Sequence, residues 1–467
     1  MCDIIESGLF ARFYFLFRIG VDWLKRLKKA ALCFSCLFLS GCSAINFTVD
    51  GLLGAPKLTS EQSDIHQALI ESVGSNITLK YPKNGSNRSA YVIANLDDEA
   101  GDEALVFYQY NSNSTDDNGL RVNILDKNND GQWYSVKELA GAGTDIDQVI
   151  LSAMGTDNHI DVLVGYQSLS NDDKTLEIYR YDGKDFKRVG MDTYSVLDAA
   201  DINSDSYNEI ITIQKITNAD TGEVSAKAYL LKLEGGKITK DEGIDMCPDI
   251  TSYVSSVKGY LNDEHYGIFV DGLNADGNLQ TEIIYYRYSK LQNPMQMRSE
   301  KLIPMCTRPA GYLSADMDGD GIVEIPSVSP MTGYENAVED EVVYTTTWST
   351  YEDFYELKEK YKGYYSISDG YFFAFPKRWK NQVTVKKDTD TGELVFFKYT
   401  GDINSNMDEI MRIAVSSKNE SKEYTDDGYE IIDSKGQLDY FVKLPADKRE
   451  QLILTVDEVE NNFYIVD

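Results

Sequence analysis

The chain has 467 residues, with 76 Asp and Glu against 45 Lys and Arg, a formal net charge of −31. That length allows two or three domains, each with a core of its own. The acidic balance argues against nucleic-acid binding, which needs basic surface to neutralise phosphate. It is the balance expected of secreted, calcium-binding or cation-meeting proteins.

At the N-terminus, "LKRLKK" (residues 24–29) is a cationic segment, and "AALCFSCLFLS" (30–40) is a short apolar one. The apolar run falls well short of the roughly 20 residues needed to span a bilayer and has the length of a secretory signal. It ends in "LSGC", Leu39 to Cys42. This arrangement resembles the lipobox of bacterial lipoproteins. The resemblance implies a signal peptide over 1–41, cleavage before Cys42, and lipid on the Cys42 thiol. The mature chain is then expected on the extracytoplasmic face of a bacterial cell membrane. Residues 1–20 carry Glu6 and an aromatic run ahead of the basic segment, so translation is expected to begin near Val21. Residues 42–58 read as a tether.

"TSEQSDIHQALIESV" (59–73) has a Ser/Thr cap and helical apolar spacing at Ile65, Leu69 and Val73. "ITLKYP" (77–82) reads as a strand, expected to close a ring by pairing with the last repeat. Together they form a leading segment over 59–84.

From residue 85 the chain repeats. Acidic loops start at Asn95, Ala153, Asp201, Gly259 and Asp316, at intervals of 58, 48, 58 and 57. Each sits between two apolar runs and is followed by two more, giving strand, acidic loop, strand and two further strands. Four short strands per repeat, with Asp/Asn/Gly turns between them, predict a mainly β fold built as a propeller of five or more blades over 85–360. The repeats resemble FG-GAP or VCBS-type blades of the kind found in integrin alpha-subunit propellers. In that family the loop between a blade's first two strands binds calcium through a D-x-D-x-D-G-x-x-D/E pattern.

Carried over position by position, the fifth loop matches best, with Asp316, Asp318, Asp320, the Ile322 carbonyl and Glu324. The third offers Asp201, Asn203, Asp205, the Tyr207 carbonyl and Glu209, with Ser206 where Gly is usual. The first offers Asn95, Asp97, Glu99 and Glu103 and lacks the Gly. Alternating oxygen side chains on one tight turn, with a later carboxylate folding back, can supply calcium's six or seven oxygens. An ion-free turn held by side-chain to backbone hydrogen bonds is the alternative. Calcium is the only cofactor the sequence implies, expected to stiffen the blade. "DINSNMDEI" (402–410) imitates the pattern with its closing Glu409 one residue early and no Gly, and reads as a surface turn.

Once the leader and Cys42 are set aside, Cys247 and Cys306 remain. A disulfide between them and two buried free thiols both fit, and their similar settings, 59 residues apart, favour free thiols in a repeat. From 364 onward the pattern changes to a meander and a C-terminal helix in "TVDEVENNFYIV", expected as a separate small α+β domain over 364–467.

The chain has three histidines, and no H-E-x-x-H, G-x-S-x-G or Walker pattern, so nothing nominates an enzyme or a nucleotide cofactor. The expected role is a non-catalytic, lipid-anchored binding or scaffolding protein meeting a protein or glycan partner, with no nucleic acid involved. A surface enzyme on polysaccharide or peptide and a structural envelope component are the alternatives. Paired carboxylates clustered in a cleft with Trp133, Trp348 or Trp379 would favour the enzyme.

Overall fold

The computed structural model describes residues 58–111, 119–155, 159–168, 174–218, 220–338, 341–352, 356–446 and 450–466. The expected signal peptide, Cys42 and the tether up to residue 57 lie outside these residues. The chain divides into units 1–63 and 64–467. The predicted helix is α1 (Ser60–Val73). It opens on a capping box, in which Gln62 N–H donates to Thr59 Oγ1 and Thr59 N–H donates to Gln62 Oε1, both at 3.1 Å. In the second unit its Ile65 and Leu69 are buried against the first sheet.

The fold is mainly β, as the repeats predict. Among the described residues, six antiparallel sheets follow one another along the chain. Sheet I holds β1 (Ile77–Leu79), β2 (Tyr91–Ala94), β3 (Glu103–Tyr110), β4 (Leu120–Lys127) and β5 (Trp133–Ala140). Sheet II is β6 (Asp145–Ser152), β7 (Asp161–Gln167), β8 (Lys174–Tyr181) and β9 (Phe186–Tyr194). Sheet III is β10 (Val196–Ala200), β11 (Glu209–Thr217), β12 (Val224–Glu234), β13 (Lys237–Lys240) and β14 (Ile244–Met246). Sheet IV is β15 (Ile250–Tyr260), β16 (Tyr266–Asn274), β17 (Leu279–Arg287) and β18 (Lys290–Gln292), followed by the short helices α2 (Pro294–Met297) and α3 (Ser299–Cys306). Sheet V is β19 (Ile325–Pro330), β20 (Tyr344–Glu352), β21 (Glu356–Ser366) and β22 (Tyr371–Ala374). Sheet VI is β23 (Val383–Lys387), β24 (Leu394–Lys398), β25 (Glu409–Ser417), β26 (Glu430–Lys435) and β27 (Leu438–Lys443), with α4 (Ser421–Asp426) and α5 (Val456–Glu460). The last strand, β28 (Phe463–Ile465), returns to sheet V and pairs with β22.

The second strands explain why these segments read as nearly continuous apolar runs. β3, β7, β11 and β16 each bury at least five successive residues, because both faces are covered, by a sheet on each side or, for β3, by sheet II on one face and α1 on the other, and alternation is needed only where one face meets water. Apolar clusters join consecutive sheets. Phe107 and Val122 meet Val149 and Val164, Leu163 and Ile178 meet Leu197 and Ile210, and Ile211 and Leu230 meet Ile268 and Val270. Phe269 and Ile283 then meet Val323 and Tyr351, and Phe373 meets Val385 and Phe396. In sheet V the strand ahead of the loop shrinks to one bridge, Ala315 to Glu324. Pro326 and Pro330 are tolerated there because β19 is an edge strand.

Three expectations need correcting. The strand at Ile77–Leu79 pairs with β3 of its own sheet, extending the line that β2 begins, and does not pair with the last repeat. The expected boundary at 364 falls inside β21, whose ladder to β22 runs from Gly363 to Ser366. The C-terminal helix is a single capped turn, α5, with Thr455 and Glu458 as its capping box, before the chain becomes β28. Cys247 and Cys306 are both buried free thiols.

Candidate cation loops and an inner cleft

Two of the acidic loops are built alike. In the fifth, Asp316 accepts from the amides of Gly319, Asp320 and Gly321, Asp320 Oδ1 accepts from Ile322 N–H, and Glu324 Oε2 accepts from Met317 N–H at 2.9 Å. In the third, Asp201 accepts from the amides of Asp205 and Ser206, Asp205 Oδ1 from Tyr207 N–H, and Glu209 Oε2 from Ile202 N–H. Gly319 and Gly321 sit at φ of 75° and 89°, and Ser204 and Ser206 hold the same left-handed positions at 62° and 74°. The third loop thus keeps the turn without the glycines that make it easy. Asp316, Asp318 and Glu324 bring carboxylate oxygens within 4.8 Å of one another, a set that could hold a metal ion.

The charge facing these carboxylates comes from residues the sequence reading did not single out. Lys360 Nζ lies 2.9 Å from Asp318 Oδ2, 2.7 Å from Asp320 Oδ2 and 2.8 Å from Glu324 Oε1. Burial pulls the Lys360 ammonium down, but its hydrogen bonds to Asp318, Asp320 and Glu324 outweigh this and hold it above the usual lysine value. Tyr361 O–H donates to Asp318 Oδ2 at 2.8 Å. In the third loop, Lys232 Nζ is 3.1 Å from Glu209 Oε1, and Asn203 Nδ2 donates to the same oxygen and to Asp205. In the second, Arg180 donates to the fully buried Asp161 through Nε and Nη2, at 2.8 and 2.7 Å.

Arg180 and Lys232 occupy one ladder position. Val162 pairs with Tyr179 and Ile210 with Leu231, so each cation lies opposite its loop's closing carboxylate on the next strand. The first sheet places Asp126 there, because Ala104 pairs with Leu125. Glu103 accepts from Leu96 N–H at 2.7 Å, and burial, reinforced by the acidic neighbours Asp97, Asp126 and Asp102, pushes its carboxyl up to about 7. Asn95 and Asp97 hold that loop's backbone through Asp98 N–H and Glu99 N–H, while Asn95 Nδ2 donates to the Glu99 carbonyl. The fourth repeat keeps Gly267 in place of a closing carboxylate. The imitation loop at 402–410 is a turn whose residues alternate between exposed and half-buried before it runs into β25, and its Glu409 is taken by Arg412 at 2.7 Å.

The inner strands of sheets II, III and IV line a cleft of about 540 Å³. Gln148 on β6 donates to the Leu197 carbonyl on β10, and Ser256 on β15 donates to Asp198. Asp198 pairs with Lys258 at 2.8 Å, and Asp147 with Lys174 at 2.9 Å. Tyr194 O–H donates to Asp147 at 2.7 Å. Polar pairs of both signs, with tyrosine rings and exposed Val254, therefore face one opening. A larger cleft on sheet VI, about 920 Å³, is lined by Glu393, Glu409, Arg412, Tyr429 and Lys443 among others. There Arg412 holds both Glu393 and Glu409.

No family model matches the chain, and no curated protein matches it. Solved structures do. The exotype rhamnogalacturonan lyase YesX is 10% identical, with a TM-score of 0.28, over 72% of this chain and 73% of that one. The periplasmic gluconolactonase PpgL of Pseudomonas aeruginosa is 10% identical, with a TM-score of 0.29, over 72% and 88%. AofleA from Arthrobotrys oligospora is 12% identical, with a TM-score of 0.25, over 72% and 88%.

Trp348 and Trp379 are core residues, 0% and 1% exposed, and the Trp133 ring lies under Lys127 Nζ at 4.3 Å. The indole Nε1–H of Trp379 donates to the Leu452 carbonyl. Among the described residues, no helix is long and apolar enough to cross a membrane.

Proposed function

We propose that the chain is a non-catalytic, lipid-anchored protein of the extracytoplasmic face of a bacterial membrane, whose blades form a scaffold for binding. The observation that carries this reading is the cleft at the inner strands of sheets II to IV. Its paired charges, hydroxyls and tyrosines suit a polar partner, a glycan or a protein segment, met along several blades at once. Lipid on Cys42 would keep that surface at the membrane.

The test is capture from solubilised native envelope by the soluble chain from Ser43, with Val254→Arg as the comparison. Val254 is 46% exposed and lines the cleft, so the arginine obstructs it without entering the core. A partner held by the wild type and lost at least tenfold with Val254→Arg supports the proposal. A partner retained equally by both moves recognition to another face. A glycan that is cleaved during incubation overturns the non-catalytic reading.

A further inference from the structure

We infer that Lys360 stands where the fifth loop would hold a metal ion, so that this loop closes on an ammonium carried by the chain itself. The resemblance of Asp316 to Glu324 to a calcium loop concerns spacing, and the spacing is met. The geometry of the filled site differs. An ammonium has three N–H donors, and three carboxylates take them, Asp318, Asp320 and Glu324, each within 2.9 Å. The oxygens pointing away are satisfied as well. Both Asp316 oxygens, Asp320 Oδ1 and Glu324 Oε2 accept backbone amides, and Asp318 Oδ2 also accepts from Tyr361. Calcium needs six to eight oxygens at about 2.3–2.6 Å around one point, and the ammonium already lies among the oxygens that would form that point.

A backbone irregularity aims the lysine. The ladder between β20 and β21 runs Trp348 to Tyr361 and then Ser349 to Glu359, which leaves Lys360 as the extra residue of a bulge. A bulge turns a side chain away from its regular direction, and here Lys360 reaches across β20 to the loop edge. The pattern extends beyond one repeat. Asp161 and Glu209, the closing carboxylates of the second and third loops, are met by Arg180 and Lys232 from their own sheets. Three of the four loops that keep a closing carboxylate thus receive a built-in cation, from two different places in the blade.

The experiment measures calcium bound per chain by equilibrium dialysis for the wild type, Asp318→Asn, Lys360→Met and the double variant. It also measures amine labelling of Lys360 by mass spectrometry, in calcium and in chelator. Asp318→Asn is expected to leave the wild-type stoichiometry unchanged, Lys360→Met to gain one ion, and the double variant to lose that gain. Lys360 labelling is expected to be equally slow in calcium and in chelator. Loss of one ion from the wild type on Asp318→Asn overturns the inference. So does a rise in Lys360 labelling when calcium is added, or a folded Lys360→Met chain that gains no ion. If Lys360→Met does not fold, the Asp318→Asn comparison and the labelling decide the question.

Discussion

Glu282, on β17, is 1% exposed and carries its hydrogen bonds on one oxygen only. Oε1 accepts from Cys247 N–H at 2.8 Å and from the amides of Asn293 and Gln296, both at 2.9 Å, while Oε2 has no hydrogen-bond partner among the described residues. Burial pushes this carboxyl up against the pull of those donors. A carboxyl raised in the fold favours its protonated form there, so stability is lost as pH rises from the unfolded carboxylate value towards the folded one. Glu282→Gln keeps an oxygen for the three donors and removes the titration. The variant is expected to melt within a degree of wild type near pH 4.5 and a few degrees higher at pH 8. A pH-independent difference in thermal unfolding would refute the assignment. No sequence signal marks Glu282, because its setting depends on Cys247, 35 residues earlier, and on the turn at Asn293.

Among the elements, β16, β17 and the segment leaving α3 are pinned together by one buried ion pair. Arg308 and Asp271 are each 1% exposed and 2.8 Å apart. Arg308 also donates to Thr281 Oγ1 and to the carbonyls of Cys306 and Tyr312, while Asp271 accepts from Ser314 N–H. Removing one partner leaves the other charge buried and alone, at a cost of about 3–5 kcal/mol. Asp271→Ala is therefore expected to lower urea-unfolding stability by that amount, and Asp271→Ala with Arg308→Met by less than the single change. An additive or larger loss in the double variant would contradict the pairing. The same elements show what was legible beforehand. Strands β3, β7, β11 and β16 were visible because each follows an acidic loop and is a long apolar run. The countercharges Arg180, Lys232 and Lys360 were not, because hairpins of unequal length and a bulge separate them from their carboxylates in sequence. Strand β1 was visible as a strand, but its partner depends on where β2 starts, at Tyr91, leaving Tyr108 to Tyr110 of β3 open, and local sequence does not encode that.

For the molecule as a whole, the apolar clusters join each sheet to the next, so stability is expected to pass along nearest neighbours, as in repeat proteins. β28 tests this. It pairs with β22, and Phe463 stacks on Tyr371 at 5.1 Å. Ending the chain at Asn461 is expected to speed amide exchange across 356–461 by at least tenfold, while 91–200 keeps native protection. Uniform loss of protection would show a single cooperative unit instead. The propeller repeats were legible because they recur, whereas the return of β28 to sheet V was hidden by a capping box that announces a helix lasting only one turn. Lys360 has a consequence at this scale too. A free ion fills a loop in proportion to its activity in the medium and is drawn away by any competing ligand, whereas a cation on a tethered side chain has a fixed effective concentration. The fifth loop is therefore indifferent to dilution, chelators and acidic polymers, and blade V closes the same way wherever the chain is folded.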